Sequence, residues 1–433
     1  MKKITALLIA ALLALSLCGC EQIEQLKQIE LPTPSVEPSE TPEPTPEASE
    51  KPEATPEPTP EAAEPSSYVT ISIGEHKETY YAPDDENQMI LDFSYETPTV
   101  HIYGNDAASE KINDFIAAMD EEYYTGSNYA EGGYGVGING MLDMAYDNLS
   151  YVRDNNIEAN LTLASNRTVL VARADEKLIS LLYNDYSYTG GVHGIYGYTG
   201  YIFDTETGEQ LTLDKLAPDL DAFKTWLTAA MVEKVNSDDE LKQSLTVDDV
   251  ETALAALIRE GSWYLDGDGL TVFSSVYEIA PYAAGVINFK FSYDEIAPYI
   301  DSKWLPAART GSGELEALAL DALPEGTEII DKVTVDSGET QLCIKVSGAV
   351  YDVSVCSVEY ADFDSRFYTT GEHWYCSYMK DSAIQLETMI PDGIPNLMVS
   401  YTDADGVNHS KLVSQSGMDG SFLLIDDNIE VLG

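Results

Sequence analysis

The chain has 433 residues, of which 75 are acidic and 23 basic, and its formal net charge at pH 7 is −52. Such an acidic protein repels the phosphates of nucleic acids and anionic lipid surfaces, so we expect neither as a partner. The length fits two or three domains, and hydrophobic residues, at 44%, suffice to build their cores, which excludes disorder throughout.

The first residues have the pattern of an export signal. Lys2 and Lys3 precede an apolar run at residues 4–17, which is shorter than the roughly 20 residues that span a bilayer. The run ends in Leu17-Cys18-Gly19-Cys20, which resembles the lipobox of bacterial lipoproteins, where the signal is removed and the cysteine thiol receives a diacylglyceryl group. This resemblance implies a signal peptide at residues 1–19 and lipidation of Cys20. An ordinary secretory signal with incidental cysteines is the alternative.

Residues 20–66 read as a lipid-anchored spacer rich in Pro, Glu and Thr. Eleven of the chain's 20 prolines lie here, in repeats such as Pro42-Glu43-Pro44-Thr45-Pro46. Proline favours the polyproline II conformation and like charges extend the chain, so at about 3.1 Å per residue the spacer reaches on the order of 140 Å. We therefore expect the folded part to stand away from the outer, extracytoplasmic face of the cell membrane, where lipid-anchored Cys20 holds it.

Residues 67–175 are predicted to form a first α+β domain. Alternation at Val69, Ile71 and Ile73 indicates a strand. Two amphipathic helices are predicted from apolar residues at helical spacing, namely Ile112, Phe115, Ile116 and Met119, then Met141, Leu142, Ala145, Leu149 and Val152. A half-buried strand follows at residues 157–163, and Ser165-Asn166-Arg167 is predicted to turn it into another strand at residues 169–174.

Residues 176–305 are predicted to form a second α+β domain. A strand at residues 178–188 is followed by a turn at Asp204-Thr205-Glu206-Thr207-Gly208 and by two helices. The second helix is expected to start at Thr246, with Asp249 three residues on in a near capping box. Strands then close the domain at residues 263–265, 270–274 and 286–291.

Residues 306–433 read as a β-rich C-terminal domain that follows the break at Gly311-Ser312-Gly313. One helical stretch is predicted at residues 315–323, and short strands with Asp/Gly turns follow. The pattern places Cys343 and Cys356 on successive strands, so a disulfide between them is one possibility. With Cys376 the number of cysteines is odd, so at least one thiol stays unpaired. The predicted fold class is thus α+β, an antiparallel sheet with helices packed on one face, followed by this β-rich domain.

Three stretches resemble one known family. They are residues 186–194 (Tyr-Ser-Tyr-Thr-Gly-Gly-Val-His-Gly), residues 203–213 (Phe-Asp-Thr-Glu-Thr-Gly-Glu-Gln-Leu-Thr-Leu) and residues 276–285 (Val-Tyr-Glu-Ile-Ala-Pro-Tyr-Ala-Ala-Gly). Together they resemble the extracytoplasmic domain of the lysozyme-sensing anti-sigma factor RsiV, also found in the non-catalytic N-terminal part of the peptidoglycan deacetylase PdaC. The resemblance implies an RsiV-like domain at residues 176–305, with residues 67–175 as the companion domain that usually precedes it. A membrane-crossing helix with a sigma-binding segment and a deacetylase domain are not expected.

The loop Gly190-Gly191-Val192-His193-Gly194 is the main candidate binding site. Gly190 and Gly191 allow positive φ angles and a close backbone approach, which would hold His193 on a tight loop. Tyrosines offer flat apolar faces with a polar tip, suited to sugar rings or a protein partner. The candidates around the loop are Tyr186, Tyr188, Tyr196 and Tyr198. The alternative is that His193 only fixes the loop while the tyrosines pack on strands.

We predict neither catalytic residues nor a metal or cofactor. Asp266-Gly267-Asp268-Gly269 and Asp403-Ala404-Asp405-Gly406 lack the spaced ligands of an EF-hand and read as turns. His373 and Cys376 lack the second ligand pair of a zinc site. Residues 135–140 match G-x-G-x-x-G as text but follow no buried strand, so no nucleotide site is expected.

Three functions are therefore compared. The favoured one is a non-catalytic envelope lipoprotein that binds or senses an extracellular ligand such as lysozyme, which is basic as a class, or peptidoglycan. The alternatives are a cell-wall glycan-modifying enzyme and a structural envelope scaffold. A carboxylate pair about 5–10 Å apart in a cleft would favour the enzyme. A surface lined by tyrosines would favour binding, and a featureless surface would favour the scaffold.

Overall fold

Long strands dominate the part of the chain that the computed structural model describes, which comprises residues 65, 67–126, 137–157, 162–336, 338–361, 365–391, 394–426 and 429–430. The predicted signal peptide, Cys20 and nearly all of the spacer lie outside these residues. The α+β class is confirmed, and three of the strand pairings are parallel, so the sheet is mixed rather than purely antiparallel.

The described residues begin with a long hairpin. β1 (Val69–Ala82) pairs with β2 (Asp85–Ile102) along almost its full length, from Val69↔Ile102 to Ala82↔Asp85. Val69, Thr70 and Ile71 are all buried at the base of β1, so both faces of the strand are covered there.

Two helices follow, as predicted. α1 (Asp106–Thr125) begins after Asn105, whose side chain accepts a hydrogen bond from the Ala108 amide, and ends at Gly126 in the left-handed conformation. α2 (Gly137–Asp154) buries Met141, Ala145, Leu149 and Val152. The apolar face of α1 packs on the sheet in one core with residues of β1 to β5.

The predicted turn at residues 165–167 is wrong. These residues lie within β3 (Leu163–Ala174), where they pair with β2 on one side and with β4 (Leu178–Tyr188) on the other. The turn falls instead at residues 175–177, because the Asp175 carboxylate accepts hydrogen bonds from the amides of Lys177 and Leu178. β5 (Ile195–Asp204) completes the meander, and residues 158–161 of the predicted preceding strand lie outside the described residues.

A helical segment with its own small sheet comes next. Its elements are α3 (Leu213–Leu216), α4 (Leu220–Ser237), α5 (Asp239–Ser244), α6 (Val250–Leu257), β6 (Trp263–Leu265), β7 (Gly269–Phe273), β8 (Asn288–Ser292) and α7 (Tyr293–Ile296). They share one core, to which Leu178 and Ile202 of the larger sheet also contribute. The predicted start of α6 at Thr246 is wrong: the N-cap is Asp249, whose side chain accepts a hydrogen bond from the Thr252 amide.

The C-terminal region is β-rich, as predicted. Its strands are β9 (Gly313–Ala319), β10 (Glu328–Thr334), β11 (Thr340–Ala361), β12 (Arg366–Lys380), β13 (Ser382–Thr388), β14 (Leu397–Thr402), β15 (Asn408–Gln415), β16 (Phe422–Ile425) and β17 (Ile429–Glu430). The helix predicted at residues 315–323 is wrong, since β9 pairs with β11 there and only one 3₁₀ turn follows. Leu315 and Ala317 turn inward while Glu314 and Glu316 are exposed, which is the period of a strand.

One sheet joins the two ends of the described chain. Its main path runs β16-β15-β14-β11-β12-β1-β2-β3-β4-β5, and β1 meets β12 through pairs such as Ile71↔Tyr375. Hydrogen bonds therefore connect the predicted first domain directly to the predicted C-terminal domain. The exact division of the chain into domains stays a prediction.

The cysteines of the C-terminal region form no disulfide. Cys343, Cys356 and Cys376 are all free and buried. Cys343 and Cys356 lie on the same strand, β11, rather than on successive strands, so the strand itself holds them apart. Burial raises the pKa of the Cys376 thiol to about 12, which keeps it protonated at neutral pH.

Candidate functional site

The glycine loop joins β4 to β5, at the end of the strand order of the large sheet. Gly190 and Gly191 have φ angles of 101° and 109°, which side chains rarely adopt. The Tyr188 hydroxyl donates a hydrogen bond to the Gly191 carbonyl at 3.0 Å. A Cβ at Gly194 would come within 2.4 Å of the Tyr186 ring, so the loop is closed around that tyrosine.

His193 lies in an aromatic cluster. Its ring stacks on Tyr282 with 3.8 Å between ring centroids and 16° between ring planes. Its Nδ1 lies 2.8 Å from the Gly194 carbonyl oxygen, and its Nε2 lies 3.3 Å from the Tyr277 hydroxyl. The structure thus brings together the first and third of the stretches on which the family resemblance rests.

Tyr277 is the most unusual member of this cluster. Its φ is 66°, a left-handed conformation that costs a residue with a Cβ about 1–2 kcal/mol. The residue is 57% exposed, so burial does not explain the conformation. The next residue, Glu278, holds the segment through the Ser275 amide and Arg259. Strained backbone of this kind gathers at sites that bind or switch.

The other predicted tyrosines take different positions. Tyr196 meets Tyr282 edge to face at 5.9 Å, and Tyr198 packs against Phe273 at 6.1 Å. We define the aromatic surface as Tyr186, His193, Tyr196, Tyr277 and Tyr282. Tyr188 fixes the loop, and burial raises the pKa of Tyr198, which lies further along β5. Sequence reasoning missed the roles of Tyr277 and Tyr282, although both lie in the stretch quoted for the resemblance.

A large cleft lies beside this surface, on the same face of the sheet. Register pairs Tyr186 with Tyr196 and Asn184 with Tyr198, so these side chains follow one another along one face. Asn184 and Tyr198 border the cleft, whose volume is about 870 Å³. Its walls extend to β11, β12 and β14, and both predicted Asp/Gly turns reach its rim.

Two carboxyl groups line the cleft where the sheet divides. β2 pairs with β3 only as far as Tyr95↔Arg167. Beyond that point the Glu96 carboxylate of β2 accepts a hydrogen bond from the Val169 amide at 2.7 Å, and Glu372 of β12 accepts one from the Val171 amide at 3.2 Å. Amides two residues apart on a strand edge are separated by about 7 Å, which places the two accepting oxygens at about that distance.

The environment of this pair favours the neutral acids. Burial raises the pKa of Glu96 to about 7 and that of Glu372 to about 8, and the charge of Glu96 further raises the pKa of Glu372. No sequence motif could have indicated the pair, because its members come from distant strands that meet only in the folded sheet.

The two Asp/Gly turns use their first aspartates to build the turn. Asp266 accepts hydrogen bonds from the amides of Asp268 and Gly269. Asp403 accepts hydrogen bonds from the amides of Asp405 and Val407. Within the described ranges, no group of three or more His, Cys, Asp or Glu side chains is arranged to hold a metal ion.

Residues 211–294 match the model of a family described as a protein of unknown function, DUF3298. The chain carries a DUF3298 domain. The matched range covers the segment with Tyr277 and Tyr282 and ends before the C-terminal strands. No relative among the curated proteins matches the sequence.

Two solved structures of DUF3298 proteins are similar to this chain. One is a family member from Bacteroides fragilis, with 19% identity and a TM-score of 0.42, covering 54% of this chain and 94% of its own. The other is from Pseudomonas aeruginosa, with 15% identity and a TM-score of 0.36, and the match covers 55% of this chain and 97% of the Pseudomonas chain. No helix among the residues described here is long and apolar enough to cross a membrane.

Proposed function

We propose that this protein is a non-catalytic lipoprotein of the cell envelope that binds or senses an extracellular ligand such as lysozyme or peptidoglycan through the aromatic surface. The observation that carries the proposal is Tyr277, an exposed aromatic residue held in a strained conformation against His193. Rigid, exposed aromatic side chains lose little conformational entropy on binding, so they act as anchors for a partner. The RsiV-like resemblance supports lysozyme as the first ligand to test.

Charge supports a basic protein partner. Residues 67–433 carry a formal net charge of −44. A charge of this size attracts a basic protein over long distances and raises the rate of encounter, an effect that salt weakens. Peptidoglycan is the second ligand because tyrosine and histidine faces can stack on sugar rings.

The proposed location rests on the sequence alone. Lipidation of Cys20 would place the protein on the outer face of the membrane, and the proline-rich spacer would allow the aromatic surface to reach ligands in the cell wall.

Calorimetric titration of the full-length chain with lysozyme and with soluble peptidoglycan fragments tests the proposal. At about 0.15 M salt we expect saturable lysozyme binding that strengthens at lower salt. A salt-insensitive glycan signal would favour a wall-binding module. The absence of binding to both ligands would contradict the proposal.

A glycan-modifying enzyme is the second candidate, because the cleft holds a carboxyl pair. The spacing of the amides they bind puts the two accepting oxygens about 7 Å apart, within the range of about 6.5–9.5 Å for glycosidases that invert configuration. The test is the release of soluble fragments from purified cell walls by the wild-type chain and by Glu96→Gln. Release that depends on Glu96 would favour this candidate, and no release would contradict it.

A further inference from the structure

The cleft beside the aromatic surface has the charge of a site for cations. Its lining includes seven acidic side chains, namely Glu96, Asp175, Asp266, Asp268, Asp352, Glu372 and Asp405. Two arginines also line it, and both are already engaged: Arg173 pairs with Asp175 and Arg309 with Asp352, each at 2.6 Å. Asp266, Asp268 and Asp405 leave the cleft with an excess of negative charge that a positively charged ligand would offset, and Glu96 and Glu372 add to it when they ionise.

The two carboxyl groups at the division of the sheet have unused hydrogen-bonding capacity. Among the described residues, each accepts one hydrogen bond, from an amide of β3. The other Glu96 oxygen faces Gly371, at an ordinary contact distance of 3.7 Å from where a Cβ would be. Nearby, the side-chain oxygen of Asn184 is buried without a hydrogen-bond partner in the described part of the chain. Within the part of the chain that the structure describes, these acceptors, and the donor of a protonated carboxyl, have no partner.

The walls of the cleft favour a carbohydrate over a peptide. A peptide that extends a sheet needs free amides on a strand edge, but Glu96 and Glu372 already occupy those of Val169 and Val171. Neutral hydroxyl and amide side chains line much of the remaining wall, including Thr168, Thr370, Ser400 and Asn408. Tyr198 adds an aromatic face suited to stacking on a sugar ring. The volume of about 870 Å³ accommodates more than one sugar.

We propose that this cleft binds an oligosaccharide whose sugars carry free amino groups, with one ammonium group placed between the carboxyl groups of Glu96 and Glu372. The site is separate from the aromatic surface and does not depend on the function proposed for it. The proposal concerns binding, and it holds whether or not a bond is then cleaved.

Such binding would release protons. Around pH 6 both carboxyls are largely neutral, because burial raises the pKa of each above that pH. An ammonium group between them favours the carboxylates and lowers both pKa values, so protons leave as the ligand enters. Glu75 also raises the pKa of Glu96, and the charge of Glu372 in turn raises the pKa of Cys356, which stays protonated.

The test is calorimetric titration of the full-length chain with a β-1,4-linked glucosamine tetramer and with its fully N-acetylated counterpart. At pH 6 we expect the free-amine tetramer to bind at least tenfold more tightly. Titration in two buffers with different heats of ionisation should show proton release for that ligand only. Equal affinity for the two tetramers, or binding without proton release, would overturn the proposal.

Variants locate the site. Glu96→Gln and Glu372→Gln keep an acceptor for the β3 amides, and each should weaken tetramer binding at least fivefold and reduce proton release. Exposed Glu359 on β11 is the matched control, so Glu359→Gln should bind as the wild type does. Unchanged binding in both cleft variants would contradict the site, and so would a lysine tetrapeptide that binds as tightly as the free-amine tetramer.

Discussion

At the scale of single residues, the aromatic surface depends on backbone positions that allow no ordinary side chain. Gly190 and Gly191 adopt positive φ angles, and Gly194 leaves room for the Tyr186 ring. Tyr277 takes a similar conformation without being glycine and stays exposed. The loop and the tyrosine segment therefore form a prearranged surface, and a ligand need not order them on binding.

Gly194→Ala tests this close packing. Its Cβ would come within 2.4 Å of the far end of the Tyr186 ring, so this partly exposed ring must move, and we expect a loss of about 1 kcal/mol in the free energy of unfolding. Gly197→Ala is the control, because no atom lies within 4 Å of its Cβ position. Denaturant unfolding of both variants measures the difference, and equal stability would show that Tyr186 is not held as described.

The raised pKa of the Glu372 carboxyl predicts how stability depends on pH. Its pKa rises from 4.5 in the unfolded chain to about 8 in the folded one, so between these values the folded state binds more protons. The contribution of this group to the free energy of unfolding is therefore greatest below pH 4.5, and it falls as pH rises towards 8. The slope for one such group is at most about 1.4 kcal/mol per pH unit.

Urea unfolding at several pH values checks this prediction. Glu372→Gln cannot ionise, so its stability should fall less steeply than that of the wild type between pH 5 and 8. Glu359→Gln removes one exposed acid and controls for net charge, and it should keep the wild-type slope. Equal slopes in Glu372→Gln and the wild type would mean that the carboxyl is not buried in the cleft.

At the scale of elements, the strongly periodic segments and the two Asp/Gly turns could be predicted from sequence, whereas the turn before β4 and the strand β9 could not. α1 and α2 were predicted because their apolar residues repeat at helical spacing and have one face to bury. The turn at residues 165–167 was misplaced because Ser-Asn-Arg has turn-like composition, whereas Asp175 makes the hydrogen bonds of the real turn. The helix predicted at residues 315–323 is wrong because so short an apolar run fits both periods until a partner strand is known.

The start of α6 gives a prediction at this scale. Asp249 caps the helix by accepting a hydrogen bond from the Thr252 amide, so Asp249→Ala should lower the free energy of unfolding by about 0.5–2 kcal/mol. Asp248→Ala removes the same charge one residue earlier and should have little effect. If the two variants lost equal stability, the loss would come from charge rather than capping.

At the scale of the whole molecule, the site could be predicted only in part. The glycine loop and its tyrosines are contiguous in sequence, so composition alone singled them out. Tyr277 and Tyr282 reach the loop through the packing of the helical segment on the large sheet, and Glu96 and Glu372 meet through strands far apart in the chain. Contacts of this kind depend on the order of the strands in the sheet, which hydrophobic periodicity does not specify.

The central claim is that the aromatic surface is the binding site for an extracellular ligand. The most direct measurement compares the lysozyme affinity of the full-length wild type with that of Tyr277→Ala and Tyr81→Ala. Tyr81 is a matched control because it is also an exposed tyrosine: it is 45% exposed, and Tyr277 is 57% exposed. It lies at the far end of the β1–β2 hairpin. We predict at least a tenfold loss of affinity for Tyr277→Ala, the size expected for an aromatic anchor, and none for Tyr81→Ala. Equal affinities in all three proteins, or no binding to the wild type, would contradict the claim.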